Sequence, residues 1–535
     1  MFHLLEIGAQ IIFAPATFLF ILCGTCLGVI FGAMPGVSAS MAVALARPFA
    51  YSMQPVVAIA FLVAVYCAAI TGGGVTAILF KIPGTPSNAP TTFDGYPMAQ
   101  RGEAGKALGI SLVCSAFGGM VAAFAMALIS PQLSAVALKF GPSELFAVSF
   151  LGLSVLTCLD SGNVVKTIIS GLIGLWISTI GMDPMLGLAR FTWGSNTLLG
   201  GVEMIPVMIG MFAITEVLKQ TTHPRVMQES DKKVGVKTTF PGIKEFLSIK
   251  WVMIRASIIG TIVGILPGAG ATIASFLCYT TENKISKHPE KFGTGCMDGI
   301  AASECANNAA TGGSMVPLLS LGIPGGNAAA IMMSALVMMG VQVGPLLVRS
   351  QPEYLASVFT SMLVTNILMV VISMLVAKVF AKILAVPYSI LGPTIVMLAV
   401  IGSYALNNNV GDVMLMAFAG TIGYLFTKLG FSAAALVLGL VLGEMCESNF
   451  RRAIMIENGS ILAVFSKPIT AVLMTACVIM LVYPVIKPIL VKKFGRKEPA
   501  SAAQLFAFSP SRDPSPPKSH RPKGDGCLAE RLIFK

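Results

Sequence analysis

The stretch ILFKIPGTPSNAPTTFDG, residues 78–95, inserts three prolines, a lysine and an aspartate into a strongly apolar part of the chain. Its centre, Pro83-Gly84-Thr85-Pro86, predicts the end of a helix, because proline lacks an amide donor and the residue before a proline avoids the α region. Backbone groups freed by a break at membrane depth must be satisfied by protein or by a water-filled cavity. The stretch therefore predicts a broken helix whose small polar side chains face an internal site.

The composition and the apolar runs predict a membrane protein. Of the 535 residues, 55% are hydrophobic and 11% are charged. Runs long enough to cross a hydrocarbon core of about 30 Å cover residues 11–33, 54–80, 105–130, 164–181, 251–266, 354–376 and 467–486. We expect an all-α polytopic membrane protein with roughly 10–13 transmembrane or re-entrant segments. A membrane β-barrel would show short segments of alternating hydrophobicity instead.

Two motifs occur twice in the same order, which predicts an internal duplication. GVIFGAMPG at 28–36 matches GTIVGILPG at 260–268, and TGGGVTAILFKIPG at 71–84 matches TGGSMVPLLSLGIPG at 311–325. The predicted organisation is a first transmembrane repeat, a basic polar linker, a second repeat with additional helices, and a disordered basic tail, at 1–218, 219–250, 251–494 and 495–535. Whether the repeats are inverted or parallel depends on the number of spans between them. We expect inverted repeats with paired broken helices, and the matched order of the motifs predicts that the breaks at Gly84 and Gly325 face each other near the bilayer midplane.

The charge distribution and the absent motifs narrow the function. The formal net charge is +12, and the linker holds seven Lys or Arg against three acids, which predicts that it is cytoplasmic. The basic segments lack interleaved aromatic residues, so a nucleic-acid partner is not expected. The chain has no G-x-x-x-x-G-K-[ST], H-E-x-x-H or G-x-S-x-G motif, and we therefore expect neither an enzyme nor an organic cofactor.

The breaks predict an anion site. A helix that restarts after a break points unpaired N–H groups back at the break, where they attract an anion without a cationic side chain. The candidate substrate-binding residues are Pro35, Gly36, Ser38, Lys81, Gly84, Thr85, Ser87, Gly325, Gly326 and Asn327. The alternative to an anion site is a kinked span that packs around its own hydroxyl groups. Asp94, an ionisable residue just after the first break, has the alternative role of capping a helix that starts near Gly95.

A second candidate set would bind a coupling cation. Glu304 is an ionisable residue in an apolar region, and such residues are candidates for function in membrane proteins. Asn307 and Asn308 follow it in ECANNAATGG and offer carbonyl oxygens, the ligands that Na⁺ prefers at unwound helix ends. We predict that the helix unwinds near Gly312-Gly313 and that these residues couple transport to Na⁺ or H⁺. The alternative is that both amides cap helix ends.

Four segments resemble the large membrane subunit of the tripartite tricarboxylate transporters, the TctA family. They are FGAMPGVSASMAVALARPF at 31–49, GGGVTAILFKIPGTPSNAPTTFDGYPMAQRGEAGKALG at 72–109, ECANNAATGGSMVPLLSLGIPGG at 304–326 and GEMCESNFRRAI at 443–454. The resemblance implies a secondary transporter of the bacterial inner membrane that imports citrate-like carboxylates, driven by an ion gradient. It also implies two partners, a periplasmic solute-binding protein and a small membrane subunit.

Three other functional classes remain possible from the residues: an ion channel, a structural membrane scaffold without coupled transport, and an intramembrane enzyme. A channel usually repeats its filter between subunits, whereas this chain repeats its motifs within itself. The duplication, the paired breaks and the absence of an ATP-binding motif favour the transporter.

Overall fold

A computed structural model describes residues 2–34, 37–81, 83–159, 164–183, 187–195, 197–222, 239–266, 270–384 and 388–494. Pro35 and Gly36, residues 223–238 of the predicted linker and the whole predicted tail 495–535 lie outside the described residues. By its internal contacts the chain divides into a large compact unit, Met1–Lys487, and a second unit, Pro488–Lys535.

The described chain is almost entirely helical, and the prediction of an all-α membrane protein is confirmed. The helices are α1 Phe2–Ile12, α2 Pro15–Ala33, α3 Ala39–Ala50, α4 Pro55–Phe80, α5 Thr91–Met98, α6 Ala104–Ala137, α7 Pro142–Leu159, α8 Val164–Ser178, α9 Met204–Ile209, α10 Thr215–Thr222, α11 Ile243–Ile265, α12 Gly270–Ile285, α13 Met297–Leu321, α14 Asn327–Met338, α15 Pro345–Ser350, α16 Pro352–Leu384, α17 Tyr388–Asn407, α18 Val410–Leu429, α19 Ala433–Ile456, α20 Ile461–Ser466 and α21 Pro468–Phe494. Strands β1, Gly181–Met182, and β2, Ala189–Arg190, form a short antiparallel pair. Short π-helical segments, Ala99–Glu103 and Gly210–Ile214, join α5 to α6 and α9 to α10.

Six helical segments of the described chain are long and apolar enough to cross a membrane, and seven apolar helices are shorter. The six are Pro15–Ala33, Pro55–Phe80, Thr91–Ala137, Ile243–Ile265, Pro352–Leu375 and Val410–Leu429. The shorter set includes α3 and α14, which have 12 residues each and cannot span a bilayer core of about 30 Å. The protein is therefore a multi-pass membrane protein, and the total number of crossings stays a prediction.

The predicted breaks are present in the backbone. Helix α4 ends at Phe80, and only a 3-10 turn at Pro86–Asn88 precedes α5 at Thr91. In the second half α13 ends at Leu321 and α14 begins at Asn327. Helix α2 ends at Ala33 and α3 begins at Ala39, while α11 ends at Ile265 and α12 begins at Gly270. The Pro-Gly pairs at 35–36 and 267–268, between these helices in sequence, lie outside the described residues.

The glycines of the two G-x-x-x-G motifs let helices approach within backbone contact. A Cβ atom on Gly32 would lie 2.0 Å from the carbonyl oxygen of Ala69, so α2 packs directly on α4. A Cβ atom on Gly264 would lie 2.5 Å from the carbonyl oxygen of Ala310, so α11 packs in the same way on α13. Small residues four apart permit such close packing of membrane helices.

The long central helices run in opposite directions. The hydroxyl of Thr71 in α4 donates to Asn308 of α13 at 2.9 Å, and Cys67, one turn earlier, lies 3.7 Å from Thr311, one turn later. Helices α4 and α13, the equivalents predicted by the repeat, therefore cross antiparallel. This arrangement is the one expected of inverted halves, and the duplication itself stays a prediction.

Candidate functional site

A cavity of about 300 Å³ collects residues from both broken regions of the chain. Its wall contains the predicted candidates Ser38, Thr85, Ser87, Gly326 and Asn327. The remaining lining residues are Ala39, Ser40, Tyr66, Ile70, Pro86, Met211, Phe212, Thr215, Glu216, Lys219, Gly270, Ala271, Thr272, Ala328, Thr427 and Ala433. Segments predicted to meet from positions more than 230 residues apart thus face one space.

Three helices begin at this cavity. Helix α3 starts after Ser38, α12 starts at Gly270, and α14 starts at Asn327; all three starting positions line the space. The first amide groups of a helix lack intrahelical acceptors. The hydroxyl of Ser38 accepts the amide of Met41 at 3.1 Å, whereas Gly326, before α14, offers no side chain to cap that helix. The cavity wall is therefore rich in hydrogen-bond donors.

Among the described lining residues, the side chains that carry a charge at neutral pH are Glu216 and Lys219 of α10. The two are 3.7 Å apart, and the Lys219 side chain is half exposed. The other polar groups in the wall are hydroxyls, the Asn327 amide and the helix starts. An anion in this space would be held mainly by neutral donors.

Gly84 and Gly325 lie behind the cavity wall, where each brings a break against a helix backbone. A Cβ atom on Gly84 would lie 2.0 Å from the carbonyl oxygen of Gly32. A Cβ atom on Gly325 would lie 2.7 Å from the carbonyl oxygen of Gly264. Both residues are buried and absent from the cavity lining. Their contribution to the site is thus the close approach that positions the neighbouring Thr85 and Gly326.

Glu304 lies fully buried in α13 and accepts hydrogen bonds from four side chains. Its Oε1 accepts from the Asn88 amide at 3.1 Å and from the Thr91 hydroxyl at 2.5 Å. Its Oε2 accepts from the Ser115 hydroxyl at 2.9 Å and from the Asn307 amide at 3.5 Å. No Lys, Arg or His forms an ion pair with this carboxylate within the described ranges. The group is well supplied with neutral donors and has no protein counter-charge there.

Asn307 and Asn308 join the same network, but not at an unwound turn. The Asn308 amide donates to the Asn307 side-chain oxygen at 2.8 Å and to the Glu304 carbonyl at 3.3 Å. Helix α13 continues unbroken from Met297 to Leu321, so the predicted unwinding at Gly312-Gly313 is wrong. The physical reason is close packing: a Cβ atom on Gly313 would lie 2.4 Å from the Thr261 carbonyl oxygen. These glycines allow helix contact rather than a turn.

A short hydrogen-bond path connects the cavity to Glu304. The hydroxyl of Thr85, in the cavity wall, donates to the Asn88 side-chain oxygen at 2.5 Å. The amide of the same Asn88 donates to Glu304 at 3.1 Å. Ser87 also joins the path, because its hydroxyl lies 2.8 Å from that of Thr85. Thr85 in the cavity wall is thus connected to Glu304 through a single side chain, that of Asn88.

Lys81 lies outside both groups of residues. It ends α4 in the left-handed conformation, with φ of 55°, and its side chain is exposed. Its Nζ lies 5.7 Å from the centre of the Tyr96 ring. The structure thus brings five of the ten substrate candidates to the cavity wall, places Gly84 and Gly325 behind it and Lys81 away from it, and leaves Pro35 and Gly36 undescribed.

The sequence prediction missed three residues that donate to Glu304, namely Asn88, Thr91 and Ser115. The capping role predicted for Asp94 is wrong, because α5 begins at Thr91 and Asp94 lies inside it and binds the chain that precedes α13. The Asp94 Oδ1 accepts the amides of Gly293, Gly295 and Cys296 at 2.8–2.9 Å, and its Oδ2 accepts the hydroxyl of Tyr279 at 2.8 Å. The sequence signal for these residues was limited to a run of polar side chains after the first break. It could not reveal the hydrogen-bond partners, which lie 185 to 216 positions away in the sequence.

Comparisons with known proteins agree with this architecture. Residues 18–438 match the model of the tripartite tricarboxylate transporter TctA family. The chain is 37% identical over 489 residues to an uncharacterised 52.8 kDa protein of Agrobacterium vitis from the TAR-I ttuC′ 3′ region, covering 90% of this chain and 96% of that protein. It is 38% identical over 231 residues to an uncharacterised protein of the same organism from the TAR-II ttuC′ 3′ region, covering 43% of this chain and 96% of that protein. Because the family match spans most of its length, the chain belongs to the tripartite tricarboxylate transporter TctA family.

Proposed function

We propose that this protein is the large permease subunit of a binding-protein-dependent secondary transporter that imports a small carboxylate, driven by a gradient of Na⁺ or H⁺. The observation that carries the proposal is the cavity at which α3, α12 and α14 begin. Family membership supports the transport class and the presence of other subunits. The substrate, the coupling ion and the dependence on a binding protein are parts of the proposal.

The cavity suits a carboxylate for an electrostatic reason. An anion that leaves water for a membrane interior pays a large desolvation penalty unless it finds compensating donors. Each helix start provides roughly half an elementary positive charge as well as free amide groups. Helices α3, α12 and α14 have 12, 16 and 12 residues, long enough to carry such dipoles. Donors from several directions fit a substrate with two or three carboxylate groups.

Glu304 is the proposed site of ion coupling. A fully buried carboxylate without a cationic partner is costly in its charged form, and binding of a proton or a Na⁺ ion removes that cost. The path from Thr85 through Asn88 to Glu304 provides the link to the substrate. Binding of the ion would fix the orientation of Asn88 and therefore of Thr85 in the cavity wall. Movement of one half against the other would then expose the loaded site to either side.

The proposed setting is the bacterial inner membrane, with the linker 219–250 on the cytoplasmic side. The proposed partners are a periplasmic solute-binding protein, which delivers the anion, and a small membrane subunit. The word tripartite in the family description supports a complex of this kind.

Reconstitution tests the function directly. Proteoliposomes that contain this protein and the small membrane subunit should accumulate labelled citrate or another small carboxylate when the binding protein is added. Na⁺ and proton gradients should be imposed separately, and only one of them should drive accumulation. The proposal would be contradicted if, for every member of a panel of tri- and dicarboxylates, vesicles with and without this protein took up the same amount.

A second prediction concerns the hydroxyl groups in the cavity wall. Thr85→Val keeps the shape of the side chain and removes its hydroxyl group, which donates to Asn88 and belongs to the cavity wall. We expect the apparent affinity for the anion to fall about 5- to 15-fold, the effect of losing one hydrogen bond of 1–1.5 kcal/mol. The measurement is the substrate concentration dependence of uptake, normalised to the amount of protein in the membrane.

Thr421→Val is the matched control. Its hydroxyl bonds to the carbonyl of Ala417 in its own helix at 3.0 Å, and its side chain is exposed. We expect no change in affinity for this variant. Equal affinities for Thr85→Val, Ser87→Ala and the unchanged protein would mean that the hydroxyls only pack the break.

A further inference from the structure

A second cavity, of about 770 Å³, lies apart from the proposed transport site. It is bounded by the segment that precedes α6, the first half of α11, the end of α12 and the loop before α13. Its lining contains five cationic residues and three carboxylates: Arg101, Lys106, Arg255, Lys287 and Lys291 against Glu103, Glu282 and Asp298. The remaining lining residues are Met98, Ser248, Trp251, Val252, Ile285, Ser286, His288, Phe292, Gly295, Cys296 and Met297. The cavity is thus basic on balance.

The carboxylates in the lining are largely used by neighbouring cations. Glu282 forms two hydrogen bonds with Arg255, at 2.8 and 2.6 Å, and Glu103 lies 3.5 Å from Arg101. Lys287 and Lys291 are exposed, and no ion pair joins either of them to a carboxylate in the described ranges. Lys106 pairs with Glu245, which lies outside the lining, and Asp298 forms no ion pair within the described ranges. The unpaired charges of the lining are therefore those of Lys287 and Lys291, in the loop that follows α12, against the single carboxylate of Asp298.

One face of α11 connects this charge to the bilayer. Trp251, Arg255, Ile258 and Ile262 follow one another at intervals of four, three and four residues, so they share a helix face. Trp251 and Arg255 line the cavity, whereas Ile258 and Ile262 are 51% and 55% exposed on a helix that qualifies as a membrane span. The face therefore changes from a cationic cavity to a lipid-facing apolar surface within three turns.

We propose that this cavity binds the phosphate headgroup of an anionic phospholipid, with an acyl chain lying along Ile258 and Ile262. Lys287 and Lys291 supply the attraction for the phosphate, and Trp251 marks the level of the interface. Basic pockets beside membrane helices attract anionic headgroups, with about 1 kcal/mol per lysine near the surface. The inference does not depend on the transported substrate, because this cavity has no lining residue in common with the cavity at which α3, α12 and α14 begin.

Fluorescence quenching of Trp251 tests the proposal. The chain has three tryptophans, so a Trp176→Phe/Trp193→Phe background leaves Trp251 as the sole reporter. The protein is placed in vesicles of phosphatidylcholine that contain an equal small fraction of either brominated phosphatidylglycerol or brominated phosphatidylcholine. We expect the anionic lipid to quench more strongly, and this preference to weaken as NaCl is raised.

Lysine variants identify the site. In Lys287→Gln/Lys291→Gln we expect the relative association of the anionic lipid to fall about fivefold for each lysine removed. Lys284→Gln is the matched control, because Lys284 is exposed near the end of α12, just before the loop that carries Lys287 and Lys291, and does not line the cavity. It should leave the preference unchanged.

Three results would overturn the proposal. Equal quenching by the two brominated lipids in the background protein would mean that the cavity has no preference for an anionic headgroup. A loss in Lys284→Gln as large as in the double variant would indicate general surface charge. Competition by inorganic phosphate as effective as the lysine substitutions would identify a site for a soluble phosphate rather than for a lipid.

Discussion

The Glu304→Gln variant should fold and reach the membrane but lose ion-driven uptake, with the rate at low substrate concentration falling about 5- to 150-fold. That range corresponds to a coupling free energy of 1–3 kcal/mol between ion and substrate. Glutamine keeps the size of the side chain and removes its ability to carry a negative charge. If Glu304 binds the driving proton or Na⁺ ion, the variant no longer responds to the gradient.

The hydrogen-bond geometry explains why glutamine should be tolerated. Glutamine can keep its oxygen towards Asn88 and Thr91 and place its amide beside Ser115, whose hydroxyl can rotate to accept a hydrogen bond. Only the long hydrogen bond from the Asn307 amide, at 3.5 Å, is lost. Glu304→Ala differs, because it leaves four buried donors without an acceptor. We expect that variant to lose about 3–5 kcal/mol of stability, because each buried donor left without an acceptor costs about 1–3 kcal/mol and removal of the buried charge offsets part of the sum.

The measurements are uptake under separately imposed Na⁺ and proton gradients and the thermal unfolding midpoint in detergent. Glu290→Gln is the control, since its carboxylate is exposed in a loop and pairs only with His288 in the described structure. It should change neither quantity. A Glu304→Gln protein that still accumulates substrate under the same gradient as the unchanged protein would limit Glu304 to a structural role.

The sequence predicted the features of this fold that have a local cause. Proline and glycine at 83–86 end α4, and the matching residues at 324–326 separate α13 from α14, because both effects arise within a few residues of backbone. Apolar runs of spanning length predicted five of the six long apolar helices for the same reason. The sixth, Val410–Leu429, was not among those runs, and the runs 164–181 and 467–486 fall on shorter apolar helices of the described chain. The meeting of both breaks at one cavity followed from the order of the repeated motifs.

The features that were missed depend on contacts between distant parts of the chain. Lys81 adjoins the break in sequence, but its left-handed backbone conformation at the end of α4 leaves its side chain exposed. Gly312-Gly313 has the composition of a turn, yet the approach of α11 requires glycine inside a continuous helix. Two of the partners of Glu304, Asn88 and Thr91, are more than 210 residues away, and no local pattern indicates such a pairing.

Asp94→Ala should be among the most destabilising single substitutions in the described chain. Asp94 is fully buried and accepts three backbone amides from 293–296 as well as the Tyr279 hydroxyl. It therefore ties the helix after the first break to the start of α13, the helix that carries Glu304. Removal of the carboxylate leaves four donors without their acceptor, and we expect a loss of about 3–5 kcal/mol.

Two conservative variants separate the hydrogen bonds from the charge. Asp94→Asn keeps an oxygen for the three amides and presents its own amide to the oxygen of Tyr279, so we expect most of the stability to remain. Tyr279→Phe removes one hydrogen bond and should cost about 1 kcal/mol. Thermal unfolding in detergent should rank Asp94→Ala far below both. If Asp94→Ala unfolds at the same temperature as Tyr279→Phe, other contacts hold 293–296, and the alignment of Asn88 and Thr91 with Glu304 does not depend on Asp94.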